Sequence, residues 1–191
     1  MSYPNLERYL QSFGKYIVTQ SRANLTRGTK KYGSKNNTKQ LYNSLRFEVQ
    51  ETTQGLSIKF FMLEYGEAVD KGVDGVKTKH TYFSYKGKFE NTPGKGYTNK
   101  MPPPSKLDKW IVMRGLAPRD KSGKFKGRSI SKVGFAKSIS FLIAKKIQMH
   151  GIKGISFFQR PLYLAFKTIH KEVLEAARKD IIDNLKQAGW R

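Results

Sequence analysis

The sequence contains no cysteine, which excludes disulfide bonds, thiolate metal sites and thiol chemistry. Histidine is scarce, and the three copies, His80, His150 and His170, form no zinc-binding pair or His-x-Glu signature, so we interpret them as structural. No apolar run reaches the ~20 residues that cross a bilayer, and the first residues lack a signal-peptide layout. We expect a soluble protein of a reducing cytoplasm, with no cofactor, no metal and no membrane contact.

Acidic residues are few beside the basic ones: 14 Asp and Glu stand against 37 Lys and Arg, a net charge of +23. No acid lies between Glu7 and Glu48, and only Asp120 interrupts the basic residues between Asp108 and Glu172. Charge of this density repels itself in a compact monomer and is relieved by a polyanionic neighbour. The segregation predicts nucleic acid on one surface and a protein partner on another.

Motifs for nucleotide hydrolysis and serine catalysis are also missing, since there is neither a Gly-x-x-x-x-Gly-Lys-Ser/Thr loop nor a Gly-x-Ser-x-Gly elbow. Carboxylates that could in principle chelate Mg²⁺ are Glu64, Glu67, Asp70 and Asp74. Their spacing matches no metal-nuclease pattern and favours a solvated acidic helix end. The sequence therefore predicts a protein that is not an enzyme.

Apolar residues at three- and four-residue spacing predict several helices. The first begins near Pro4 with Asn5 as its N-cap and fades near Arg22 to Arg27. A further helix starts at Ser105, and another continues to Gly151. The last begins at Pro161. Its predicted buried stripe consists of Leu162, Phe166, Ile169, Val173, Ala177, Ile181 and Leu185.

Two alternating runs, Leu45 to Val49 and Leu56 to Phe60, flank Gly55 and predict a β-hairpin. Residues 82–85 predict a further strand, and residues 85–89 a tight hairpin. Strands followed by helices indicate an α+β fold, a small antiparallel sheet or hairpin packed against several α-helices, with long basic loops. We expect residues 1–191 to form a single domain with inserted basic loops at about 75–105 and 118–131.

The two basic loops are the predicted sites of contact with DNA or a partner. Lysine outnumbers arginine in them, which favours sequence-independent charge attraction over bidentate base recognition. The basic residues with this predicted role are Lys77, Lys79, Lys86, Lys88, Lys95, Lys121, Lys124, Lys126 and Arg128.

Aromatic residues interleave with the lysines of the first loop, and two interpretations stay open. They could stack on bases beside lysine–phosphate pairs, or pack against their own domain or a neighbouring subunit, which is the favoured interpretation. The aromatic residues assigned to oligomer or partner contact are Tyr82, Tyr85, Phe89, Phe157 and Phe158.

Two stretches resemble the head-tail connector and tail-completion proteins of tailed phages. Residues 64–72, Glu-Tyr-Gly-Glu-Ala-Val-Asp-Lys-Gly, are similar to the segment that leads from the hairpin to a long loop in that family. Residues 151–162, Gly-Ile-Lys-Gly-Ile-Ser-Phe-Phe-Gln-Arg-Pro-Leu, are similar to the aromatic and proline turn that opens its last helix. Residues 107–116 and 132–150 resemble insertions of larger relatives.

The resemblance implies a virion protein, made in the cytoplasm of a bacterial host. It would form a homo-oligomeric ring between portal and tail proteins, around the channel through which double-stranded DNA leaves the capsid. An alternative is a sequence-independent nucleic-acid-binding protein outside any virion, and a third is a metal-dependent nuclease.

Overall fold

The computed structural model describes residues 3–27, 38–52, 55–94, 96–97, 100–108, 111, 122 and 132–189. Within them lie five helices, six short strands and a 3-10 turn at Pro104–Lys106. The helices are α1 (Pro4–Arg27), α2 (Gln40–Ser44), α3 (Tyr65–Lys71), α4 (Lys132–His150) and α5 (Gln159–Gln187). The strands are β1 (Arg46–Thr52), β2 (Gly55–Phe61), β3 (Gly72–Val73), β4 (Thr81–Phe83), β5 (Phe89–Asn91) and β6 (Ile152–Lys153).

The predicted α+β class is confirmed, because three antiparallel strand pairs accompany the helices. Strands β1 and β2 form the predicted hairpin, with Arg46 opposite Phe61 and Thr52 opposite Gly55. Strands β4 and β5 form the second one around Gly87, whose φ of +80° suits glycine at a tight turn. Strand β3 pairs with β6.

The chain divides into two compact units, and the single domain over residues 1–191 stays a prediction. Unit 1 comprises residues 1–71, 81–90 and 154–191, and unit 2 comprises residues 72–80 and 91–153. The chain passes between them four times: directly after α3, directly before β4, inside β5 and directly after β6. Because these crossing points carry no Pro-, Gly- or Ser-rich linker, the sequence offers no boundary signal there.

The hydrophobic core of unit 1 is built from α1, α2 and the segment before α5. Its buried members are Phe13, Ile17, Val18, Leu25, Leu41, Leu45, Phe157 and Phe158. The β1–β2 hairpin covers this core through Phe47 and Phe60, and the ring of Phe60 meets that of Phe158 edge-on at 5.4 Å. Gly14 faces the Phe47 ring so closely that a Cβ atom there would overlap it. This contact explains a glycine in the middle of a long helix.

Helix α1 is attached to the C-terminal half of α5 by a carboxylate. The Asp180 side chain accepts hydrogen bonds from the backbone N–H groups of Asn5 and Leu6, both at 2.9 Å. It also accepts one from the Asn5 side-chain amide at 2.8 Å. Asp180, not Asn5 as the sequence suggested, therefore satisfies the free N–H groups of the first turn.

The buried stripe predicted for the last helix is wrong at its C-terminal end. Ile181 and Leu185 are 53% and 45% exposed, and Phe166 is also exposed, whereas Leu162 and Ile169 pack against the core. The reason is that Asp180, not an isoleucine, faces α1 in this half of the helix.

Unit 2 contains α4, which ends at the predicted Gly151, and the β3–β6 pair. The helix predicted from Ser105 falls mainly outside the described residues, but Ile111 is buried and its N–H donates to the Leu107 carbonyl, a helical hydrogen bond. Within the described residues, every helix is too short or too polar to span a bilayer.

Candidate interaction surfaces

The two stretches that resemble connector proteins are joined by Asp70. Its backbone carbonyl accepts a hydrogen bond from the Ser156 N–H at 2.8 Å, and its side chain accepts one from the Phe158 N–H at 2.8 Å. The Val69 carbonyl accepts a third bond, from the Ile155 N–H. The end of α3 thereby supports the turn that leads into α5.

Burial gives Asp70 an unusual titration. Its side chain is almost fully buried, and desolvation raises its pKa from 3.8 to about 6, even though hydrogen bonds from Phe158 and Gln159 and the charge of Lys71 act to lower it. Of the other proposed magnesium ligands, Glu67 pairs with Lys71 at 2.8 Å and Asp74 with Lys79 at 3.4 Å. Among the described residues, no three His, Asp or Glu side chains gather into a set that could hold a metal ion.

The same turn supports the β4–β5 hairpin in unit 1. The Ser156 hydroxyl accepts the N–H of Phe83 at 3.0 Å, and the Gln159 side chain accepts the N–H of Tyr85 at 3.1 Å. Ser156 has a φ of +50°, a strained conformation for a residue with a side chain. That strain is tolerated because the buried hydroxyl and N–H groups are both bonded.

The predicted aromatic contacts separate into two groups. Phe157 is fully buried and Phe158 is 9% exposed, so the expectation that they contact a partner is wrong: they fill the core of their own unit. Tyr82 is buried too, and its hydroxyl donates to Glu90 at 3.0 Å. Tyr85 and Phe89 stay available on the hairpin surface. Phe157 and Phe158 are adjacent and follow no helix or strand period. The sequence therefore carried no signal that distinguishes a ring buried in the core from a ring that contacts a partner.

The predicted basic residues are divided between the units. Lys77 and Lys79 are exposed in unit 2, whereas Lys86 and Lys88 are exposed on the unit 1 hairpin. Neither unit therefore contains all four of these lysines: two belong to unit 2 and two to unit 1. Those that lie outside the described residues are Lys95, Lys121, Lys124, Lys126 and Arg128.

Histidines join two segments of unit 2. The His80 ring nitrogen Nε2 lies 2.6 Å from the His150 carbonyl, and the His150 Nδ1 lies 3.0 Å from the Thr78 hydroxyl. The His80 N–H donates to Asp74 at 2.8 Å. Both rings therefore hold the end of α4 against the segment after β3. His170 is exposed on α5.

Net charge distinguishes the two units more than any single cluster does. Unit 2 carries 17 Lys and Arg against three Asp, a net charge of +14 in 72 residues. Unit 1 carries 20 Lys and Arg against 11 Asp and Glu, a net charge of +9 in 119 residues. Unit 2 is thus the more basic of the two units by net charge per residue.

Unit 1 has two further candidate contact surfaces, a mixed polar and apolar groove and an apolar helix face, that the sequence patterns did not predict. A groove of about 290 Å³ between α1 and α5 is lined by Tyr9, Ser12, Phe13, Tyr16, Leu164, Ala165, Thr168 and Glu172. Farther along α5, the side chains of Leu174, Ile181 and Leu185 are exposed. Positions 174, 178, 181 and 185 are separated by four, three and four residues. This helical spacing is the sequence signal that could have indicated a second face of α5.

Comparison with protein-family models, with curated proteins and with solved structures found no match to this chain. The resemblance to connector proteins therefore rests on the two short stretches that Asp70 joins.

Proposed function

We propose that this chain is a structural virion protein without enzymatic activity. It is a subunit of a head-tail connector ring, of the neck or tail-completion type, between portal and tail around the DNA exit channel. The observation that carries the proposal is the unequal charge of the two compact units, with +14 of the total +23 in unit 2.

Such a division suits a subunit that has a polyanion on one side and proteins on the other. Of the 17 basic residues in unit 2, 14 are lysines. Lysine attracts phosphate as a mobile point charge, whereas arginine favours fixed bidentate recognition. A channel through which DNA must slide needs diffuse attraction without base recognition.

Unit 1 has the features of a protein-binding body. Its charge density is lower, and its surface includes exposed Leu174, Ile181 and Leu185 along α5. Exposed apolar groups in a row favour a protein contact. The joint between the two resembling stretches also lies in this unit, at Asp70 and Ser156.

The test is to purify the chain, alone and with a portal protein from the same genome, and to determine stoichiometry by light scattering and ring formation by negative-stain electron microscopy. We expect rings, either free or seated on the portal. A chain that stays monomeric and binds neither portal nor tail components would overturn the proposal.

The charge of unit 2 also supports a second candidate, a sequence-independent DNA-binding protein outside any virion. Both candidates predict salt-dependent DNA binding. Variants of surface lysines can therefore test which unit carries the DNA-binding surface. Neutralising the exposed unit 2 residues Lys77, Lys100 and Lys146 to Gln should reduce the slope of log affinity against log salt by about 2–3. The matched unit 1 set is Lys15, Lys59 and Lys179, also changed to Gln.

The unit 1 substitutions should reduce this slope by well under half of the reduction that the unit 2 substitutions cause. Equal reductions would contradict a DNA surface on unit 2. Strong binding by a chain that never assembles with portal or tail would favour the second candidate.

A further inference from the structure

Helix α5 has an apolar face that points away from α1. Leu174 is 69% exposed, and Ile181 and Leu185 are about half exposed. With Arg178 they follow a four-, three- and four-residue spacing, so the four side chains lie in one row along the helix. We call this row, Leu174, Arg178, Ile181 and Leu185, the α5 stripe. Three large exposed aliphatic side chains on one helix face, with one arginine among them, are typical of a surface that a partner covers.

The α1–α5 groove is a separate surface of the same unit. It uses residues 164, 165, 168 and 172 of α5, in the N-terminal half of the helix, whereas the stripe lies in the C-terminal half. At 100° per residue, the two sets point about a third of a turn apart. One copy can therefore use both surfaces at once, each with a different neighbour.

The two surfaces carry opposite charges. Glu172 is the charged residue among those lining the groove, and Arg178 lies inside the stripe. Burial, followed by the nearby Glu172 carboxylate, raises the pKa of Tyr9 to about 12. Tyr9 is therefore a neutral neighbour that leaves the negative charge of the groove to Glu172. A guanidinium brought beside this carboxylate at the edge of an apolar contact would add orientation and affinity.

We propose that the α5 stripe of one copy packs into the α1–α5 groove of the next copy, with Arg178 paired to Glu172 across the contact. A contact between two different surfaces repeats from copy to copy and closes into a ring when the rotation allows it. The inference rests on the proposed ring function and specifies the interface that builds the ring.

Packing of stripe on stripe is the competing arrangement. A two-fold axis through the middle of the stripe would bring two Arg178 side chains together and leave the groove empty. It would also end at a dimer. The charges therefore favour the stripe-to-groove contact.

Charge reversal tests the pairing. Arg178→Glu and Glu172→Arg should each weaken self-association about tenfold, measured by sedimentation velocity over a concentration series, alone and on the portal. The double variant should recover most of the loss. Residues six apart on a helix point about a third of a turn apart and lack the three- or four-residue spacing at which side chains of one helix pair, so the recovery cannot come from a pair within one copy.

Two controls match these variants. The reversal of Glu51 and Lys59, exposed charges on the β1–β2 hairpin, should leave assembly unchanged. Leu174→Gln should weaken assembly about as much as Arg178→Glu, whereas Leu63→Gln, an exposed leucine outside both surfaces, should not. Circular dichroism of each variant reports whether the fold is retained.

The possible failures are distinguishable. If rings form but Glu172→Arg has no effect, the stripe-to-groove contact is overturned, while the connector function stands. If Arg178→Glu acts alone and the double variant shows no recovery, stripe-on-stripe packing replaces it. If the wild-type chain never associates, with or without portal, the proposed function itself fails.

Discussion

The carboxylate of Asp180 accepts a hydrogen bond from the backbone N–H of Asn5 at 2.9 Å, across 175 residues of sequence. Together with the bond from Leu6, this contact closes unit 1 by attaching the start of α1 to α5. Burial acts to raise the pKa of Asp180, but these hydrogen bonds and the charge of Arg8 hold that pKa below its ordinary value. The carboxylate therefore stabilises the fold in its ionised form.

Replacing Asp180 with Ala should lower the free energy of unfolding by about 2–3 kcal/mol at pH 7, because buried N–H groups lose a charged acceptor. The depressed pKa means that this contribution is present above pH 3.8 and is lost as the pH falls through the folded-state value. Urea denaturation at several pH values measures both effects. Asp183→Ala, an exposed carboxylate one turn away, should change stability by less than about 0.5 kcal/mol. Equal losses of stability in the Asp180→Ala and Asp183→Ala variants would contradict the role of Asp180 as the acceptor for the first turn of α1.

Asp70 should show the opposite pH dependence. Its folded-state pKa of about 6 exceeds the ordinary 3.8, so its contribution is fully present below pH 3.8 and is lost as the pH rises through 6. The stability of the wild type relative to Asp70→Asn should fall by about 2–3 kcal/mol from pH 3.8 to 7. Asparagine keeps an oxygen that can accept the Phe158 N–H. A difference that is constant with pH in paired urea titrations would refute the raised pKa.

Gly14→Ala should destabilise unit 1 although alanine is the better helix former. The added methyl group would overlap the Phe47 ring, and overpacking of this kind costs about 1–3 kcal/mol. Thermal unfolding followed by circular dichroism measures the loss. Ser12→Ala, on the exposed side of the same helix, is the control and should be neutral or slightly stabilising. A stabilised Gly14→Ala protein would show that the hairpin does not approach α1 this closely.

Alanine variants of Phe158 and Phe89 should distinguish a ring that packs in the core from a ring that is exposed on the surface. Phe158→Ala removes a ring from the core and should cost about 3–5 kcal/mol of unfolding free energy, whereas Phe89→Ala should cost less than about 1. If Phe89 contacts a partner, its alanine variant should weaken assembly while retaining the fold. Comparable stability losses in the two variants would contradict the burial assigned to them.

Periodicity predicted the elements whose partners lie nearby in sequence. The β1–β2 hairpin is encoded by alternation around Gly55, and α4 by apolar spacing that ends at Gly151. Both depend on local backbone preferences and short loops, which a sequence displays directly. The same is true of the β4–β5 turn at Gly87.

The candidate surfaces were only partly predictable. Composition identified a basic protein, and charge segregation indicated two kinds of surface, but the sequence did not show that 17 basic residues belong to one compact unit. Periodicity also placed Ile181 and Leu185 on the buried stripe. It marks an apolar helix face without stating whether this chain or another copy covers it.

What the sequence alone determined is the chemistry available: no thiols, few carboxylates, a large positive charge and the short-range elements. The tertiary structure decided which residues meet, above all Asp180 with Asn5, Asp70 with Phe158 and the burial of Phe157. These contacts join positions from 88 to 175 residues apart, and they depend on how helices and turns pack in three dimensions. Local sequence patterns carry no record of that packing, because each side of such a contact is locally compatible with many partners.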